Sequence, residues 1–255
     1  MMQFFSSNGV RIGYVDLEPT SGDRGEPILL IHGFASNYSV NWTNTLWTKT
    51  LMHDGRRVIA LDNRGHGQSE KLYEPAQYTT SLMAQDAVNL LDHLGVARGD
   101  VMGYSMGARI TAFMALEHAS RVRRAILGGL GDRLVRSAAL PSNIAQAMEA
   151  SALADLTDPT QRMFRAFAEA TKSDLRALAA CIRGNRQSLT PKGVAAITCP
   201  TLVAVGDKDE MSGDGPALAK LLPNGRALVI PGRDHNLAVG DKVYKNGVLA
   251  FLGEA

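Results

Sequence analysis

A chain of 255 residues, 45% apolar and 20% charged, has ordinary globular composition and enough length to bury a core without disulfides or a structural metal. A formal net charge of +2 is too small to mark a nucleic-acid binder or a protein drawn to an anionic membrane. Cys181 and Cys199 have neither C-x-x-C spacing nor neighbouring histidines, so both read as reduced, buried, small apolar side chains. With no signal-peptide pattern and no apolar run of membrane-spanning length, a cytoplasmic protein is expected.

The first elements form a hairpin, with "MQFF" and "VRIGYV" on either side of Asn8–Gly9, a pair suited to positive φ. "PILLIHG", "RRVIALD", "DVMGYS", "AILGG", "TLVAVGD" and "ALVIPG" follow as short apolar runs. Because they are continuous rather than alternating, they read as strands covered on both faces, as in a parallel sheet. Helical spacing lies between them. "SLMAQDAVNLLDHLG" repeats apolar residues up to a stop at Gly95, and "MGARITAFMAL" puts Met106, Ile110, Phe113 and Met114 on one core-facing side. The basic cluster Arg121–Val122–Arg123–Arg124 reads as a solvated turn ahead of a strand.

From Gly131 to about Lys192 the rhythm changes to helices alone. "DPTQRMFRAFAEA" opens with Asp158 as N-cap, Pro159 at the first helical position and Gln161 closing a capping box; "SDLRALAACIR" begins similarly at Ser173. The expectation is an α/β class protein: a mostly parallel central sheet with an N-terminal hairpin and helices on both faces. A helical lid, 131–192, is inserted into a core of residues 1–130 and 193–255, all in one structural domain.

The pentapeptide Gly103–Tyr104–Ser105–Met106–Gly107 falls where a strand meets a helix. A serine there is exposed on a sharp turn, and small residues two positions away on each side avoid clashing with it. A serine hydroxyl needs a base, an acid to orient that base, and N–H donors for the oxyanion formed on attack. After residue 118 the sole histidine is His235, just past a strand. "VAVGDKDEM" offers Asp207, Asp209 and Glu210 in another such loop. "LLIHGFAS" offers the Phe34 N–H after a turn at Gly33, and the Met106 N–H at the start of the helix is a second donor.

In these motifs the chain resembles the α/β-hydrolase fold family. "HGF", "LDNRGHGQS", "GYSMGA" and the acid and histidine loops come in the family's order, and the resemblance spans nearly the whole chain. It implies Ser105 as nucleophile, His235 as base and, through the segment Gly206–Asp207–Lys208–Asp209, Asp209 as acid, with Asp207 the alternative. It implies that His32, Arg64, Gly65, His66 and Gly67 are architectural. Where many relatives carry a second glycine after the pentapeptide, this chain has Ala108.

A serine nucleophile suits acyl chemistry, so the resemblance implies a serine hydrolase acting on a small to medium carboxylic ester or lactone. No cofactor, metal, nucleic acid or membrane is called for. "GHGQSE" departs from a dinucleotide-binding fingerprint at Glu70. Phe34, Tyr104, Met163, Phe164 and Phe167 are candidates for the substrate pocket, with Met148 and Leu153 also on lid helices. Arg133 and Arg136 are candidates to meet a substrate carboxylate. C–C bond hydrolysis, cofactor-free peroxidase or perhydrolase chemistry, and a non-turnover ligand receptor are the alternatives.

Overall fold

The computed structural model describes residues 1–22, 25–136 and 140–254. Residues 137–139 of the expected lid, and residues 23, 24 and 255 of the expected core, lie outside these.

The strands are β1 (Gln3–Ser7), β2 (Val10–Leu17), β3 (Ile28–Ile31), β4 (Val58–Leu61), β5 (Gly99–Tyr104), β6 (Val122–Gly128), β7 (Thr201–Gly206) and β8 (Gly225–Ile230). They form one eight-stranded sheet in the order β1-β2-β4-β3-β5-β6-β7-β8. The hairpin turns at Asn8 and Gly9, both at positive φ, and β2 adds antiparallel to β4. All remaining pairings are parallel.

The helices are α1 (Trp47–His53), α2 (Thr80–His93), α3 (Met106–Glu117), α4 (Arg133–Arg136), α5 (Asn143–Glu149), α6 (Pro159–Ala170), α7 (Leu175–Gly184), α8 (Pro191–Ala195), α9 (Gly215–Leu221), α10 (His235–Ala238) and α11 (Lys242–Gly253). Strand residues alternate between the two faces, and each face has its own core. Leu29, Ile31, Ile59 and Leu61 pack with residues of α2, α3 and α9. Ile28, Leu30, Val58 and Ala60 pack with Trp47 and Leu51 of α1 and Tyr244, Val248 and Phe251 of α11. This is why β3, β4, β5 and β7 are buried throughout. The apolar run of β8 is not: it closes the sheet edge, and Val229 is 48% exposed.

Four further expectations change. The basic cluster is not a solvated turn, because β6 starts at Val122 and Arg123 donates through Nε and Nη2 to the fully buried Asp100, 3.0 Å each. Asp158 does cap α6 by accepting the Gln161 N–H, but the Gln161 side chain turns away to Asn143 O, so no capping box forms. α7 is capped by Asp174 rather than Ser173. Cys181 is buried, whereas Cys199 is only partly so.

Between β6 and β7 the described residues form only helices and turns. α5 packs on α6 and α7, and α7 packs on the turn Pro75–Tyr78 of the core. Ile144, Met148, Phe164 and Leu178 of this segment join the same core as α3. Arg109 of α3, 3% exposed, donates to Arg133 O and Gln187 O, one near each end of the inserted segment.

Candidate active site

Ser105 stands alone between the last residue of β5 and the first of α3, at φ 55° and ψ −113°. A residue with a Cβ reaches that region only when its surroundings fix it. The Ser105 N–H is held by Gly128 O at 2.8 Å. A Cβ on Gly103 would lie 2.1 Å from Gly107 O, and one on Gly107 would lie 1.9 Å from Ile31 O. The two glycines of the pentapeptide are therefore required by close approach of backbone. Ser105 Oγ makes no capping bond to α3. It lies 3.0 Å from His235 Nε2.

His235 is the first residue of α10, with its carbonyl accepting the Tyr104 hydroxyl at 2.6 Å. Its Nδ1 lies 2.8 Å from Asp209 Oδ2. Asp209 Oδ1 accepts the N–H groups of Met211 and Ser212, and Oδ2 also accepts the Ser212 hydroxyl at 2.6 Å. Burial works against the Asp209 charge, but the bonds from His235, Ser212 and Met211 outweigh it and hold the carboxyl below its ordinary range. Asp207 points elsewhere, exposed and accepting the Gly232 N–H at 2.7 Å. Ser212 escaped the sequence reading; a hydroxyl three residues after the acid in one loop was the available signal.

Among the described residues, the N–H groups of Phe34 and Met106 have no hydrogen-bond acceptor. The loop carrying Phe34 is fixed by its neighbours: the Gly33 N–H donates to Asn41 Oδ1 at 3.0 Å. His32 donates from Nδ1 to Gly33 O at 2.7 Å and accepts the Asn63 N–H at Nε2, 3.0 Å, which defines its neutral tautomer. Burial lowers the His32 pKa to about 4. It lowers that of His66 to about 3, with His32 adding to the effect. His66 bonds to Arg64 O and sets its ring edge-on to Phe34, 5.8 Å between centroids. Arg64 itself is locked bidentate on buried Asp86. These residues shape the loops rather than reach the serine.

Ser105, His235, Phe34, Phe164 and Met211 line two cavities at once. One, about 300 Å³, is also walled by Met106, Arg109, Leu130, Arg133, Ile182 and Asn185. The other, about 460 Å³, is walled by Val40, Asn41, Tyr104, Met163, Phe167 and Val239. All five aromatic and methionine residues expected at a pocket therefore meet one of these spaces. Met148 and Leu153 do not. Arg136 does not either: it pairs with Asp132 at 2.8 Å. Arg109 was missed because a charged residue in a buried helix has no periodic signature. Among the described residues no cluster of three metal-binding side chains occurs, and no helix is long and apolar enough to cross a membrane.

A family model described as the α/β hydrolase fold matches residues 26–152. The chain is 29% identical over 249 residues to the dihydrolipoyllysine-residue acetyltransferase component of an acetoin cleaving system from Pseudomonas putida, covering 91% of this chain and 64% of that protein. It thus spans less than two thirds of that relative's length. It is 26% identical over 278 residues to the non-heme chloroperoxidase CPO-A1 of Kitasatospora aureofaciens, covering 97% and 98%. Among solved structures, the enol-lactonase from Burkholderia xenovorans LB400 superposes with a TM-score of 0.79 at 22% identity, covering 99% of this chain and 100% of that one. With the sheet order, the strand-to-helix serine and these matches together, the chain belongs to the α/β-hydrolase fold family.

Proposed function

We propose that the protein is a serine hydrolase that cleaves a small to medium carboxylic ester or lactone through an acyl-enzyme. One observation carries the reading: Ser105 Oγ sits 3.0 Å from His235 Nε2 at the junction of two cavities, in a site with two backbone N–H groups that lack acceptors among the described residues. His235 Nε2 takes the hydroxyl proton as Oγ attacks the carbonyl carbon. The Phe34 and Met106 N–H groups receive the charge that develops on the carbonyl oxygen. His235 then protonates the leaving alkoxide, and a water repeats the sequence on the acyl-enzyme. Asp209 holds the Nδ1–H and offsets the transient imidazolium charge.

Two spaces meeting at the nucleophile suit a substrate whose two halves diverge from one carbonyl. Their volumes fall at the lower end of small-molecule sites, which favours a compact ester or lactone. The helical segment 131–192 acts as a lid, since Phe164 lines both spaces and Met163 and Phe167 form the wall of the larger one. The likeness to the chloroperoxidase supports a second reading, in which hydrogen peroxide replaces water at the acyl-enzyme and the product is a peracid.

Steady-state hydrolysis of p-nitrophenyl acetate, butyrate and octanoate by wild type, Ser105→Ala and His235→Ala tests the proposal. Turnover by wild type with near-complete loss in both variants supports it. Equal slow rates in all three proteins would refute it. A peracid assay with acetate and peroxide separates the second reading.

A further inference from the structure

The last turn of α6 is fastened to the loop that carries Phe34. Thr171, just past α6, has its Oγ1 2.9 Å from Ala35 O. The same oxygen lies 3.0 Å from Ala168 O, but that carbonyl already accepts the Ser173 N–H at 2.9 Å. Ser173 Oγ completes the cluster, 2.9 Å from Thr171 Oγ1 and 3.5 Å from Ala35 O. Each hydroxyl has one proton to give. The shorter contact to Ala35 O is that of Thr171, 2.9 Å against 3.5 Å from Ser173, which sends the Thr171 proton to Ala35 O and the Ser173 proton to Thr171 Oγ1.

Ala35 needs that bond. It is fully buried, and among the described residues no backbone N–H donates to its carbonyl. A buried carbonyl left unserved is unfavourable. Ala35 also sits at φ 56°, a left-handed conformation that a side chain disfavours and that persists only where neighbours impose it. Two turns earlier on α6, Phe164 meets the Phe34 ring edge-on with centroids 6.0 Å apart. One helix thus grips both the residue that offers the N–H and the strained residue after it.

We infer that Thr171 is a positioning residue, whose hydroxyl on Ala35 O fixes the turn presenting the Phe34 N–H, so that this donor is in place only while α6 is seated. The inference rests on the serine-hydrolase reading above. The inserted helices then form part of the oxyanion site as well as a lid over it.

The test compares wild type, Thr171→Val, Thr171→Ser, Thr171→Val with Ser173→Ala, and Ser105→Ala. Three quantities are read: kcat and KM for p-nitrophenyl butyrate, inhibition by an alkyl trifluoromethyl ketone whose adduct oxygen needs the same N–H donors, and the melting temperature. Thr171→Val is expected to lower kcat about tenfold with KM within about twofold, a partial loss of what a deleted oxyanion donor costs. Ketone inhibition should weaken by a similar factor, the double variant should lose more, and Thr171→Ser should recover both. Unchanged kcat and ketone inhibition in Thr171→Val would overturn the inference, as would a lower melting temperature with ketone inhibition intact. Ser105→Ala retaining the wild-type rate would instead overturn the hydrolase reading on which it stands.

Discussion

Ser212 donates its hydroxyl proton to Asp209 Oδ2 over 2.6 Å, on the same carboxylate oxygen that faces His235 Nδ1. With the Met211 and Ser212 N–H groups on Oδ1, the carboxylate is held on both oxygens, and Oδ2 also faces the imidazole that reaches the serine. Asp209→Asn should lower kcat by about 10³–10⁴, because the amide no longer selects the Nδ1–H tautomer. Ser212→Ala should cost about three- to tenfold, the scale of one lost hydrogen bond. Asp207→Asn should leave the rate within about twofold, since its carboxylate serves Gly232. Ester hydrolysis rates of the three variants check this ordering.

The serine turn makes opposite demands at two adjacent small residues. Gly107→Ala would drive a Cβ to 1.9 Å from Ile31 O, a backbone atom that cannot yield. It should destabilise by about 4 kcal/mol or more, or prevent folding. Ala108→Gly, at a buried position inside α3, should cost only about 1 kcal/mol of helix propensity. Denaturant unfolding of both variants distinguishes a steric requirement from a tolerance.

Acid should weaken the fold through two histidines. His32 and His66 are buried and neutral, with pKa values lowered to about 4 and about 3. The unfolded chain, with ordinary histidines near pH 6.5, therefore binds more protons. Their stabilising effect is complete above that pH and is lost as pH falls toward the folded values. The loss amounts to about 2 kcal/mol per histidine between pH 7 and pH 5. Asp209 acts in a lower window: its carboxyl is depressed, so its contribution is full above the ordinary carboxylate pKa and lost as pH falls through the folded value. Urea unfolding at pH 7 and pH 5 checks this, and equal free energies at both would count against it.

Arg109 ties both ends of the inserted segment to α3. Arg109→Met keeps the stem but loses the donors to the part-buried Arg133 O and Gln187 O; the expected loss is about 1–3 kcal/mol. Limited proteolysis should then cut within 131–192 faster than in wild type while the sheet stays protected.

The hairpin, six further strands and the serine turn could be read from the sequence because their signals are local. Asn8–Gly9 needs positive φ, continuous apolar runs need two covered faces, and Gly103 and Gly107 bracket Ser105 in one pentapeptide. Where tertiary context decides, the sequence reading failed. Arg123 looks solvated until Asp100 on the neighbouring strand is known, and the exposure of Val229 follows from the place of β8 at the sheet edge. Ser212, Arg109 and Thr171 act through partners 3 to 136 residues away, and no periodicity announces such contacts.

In the proposed reaction Ser105 becomes covalently acylated with His235 as its base. The most direct measurement is intact-mass and peptide-mapping analysis after brief exposure to diethyl p-nitrophenyl phosphate, an acyl-transfer mimic that stays on the nucleophile. A single diethylphosphoryl adduct is expected on the peptide containing Ser105, formed far more slowly in His235→Ala and absent in Ser105→Ala. An unlabelled wild-type protein, or an adduct on any other residue, would contradict it.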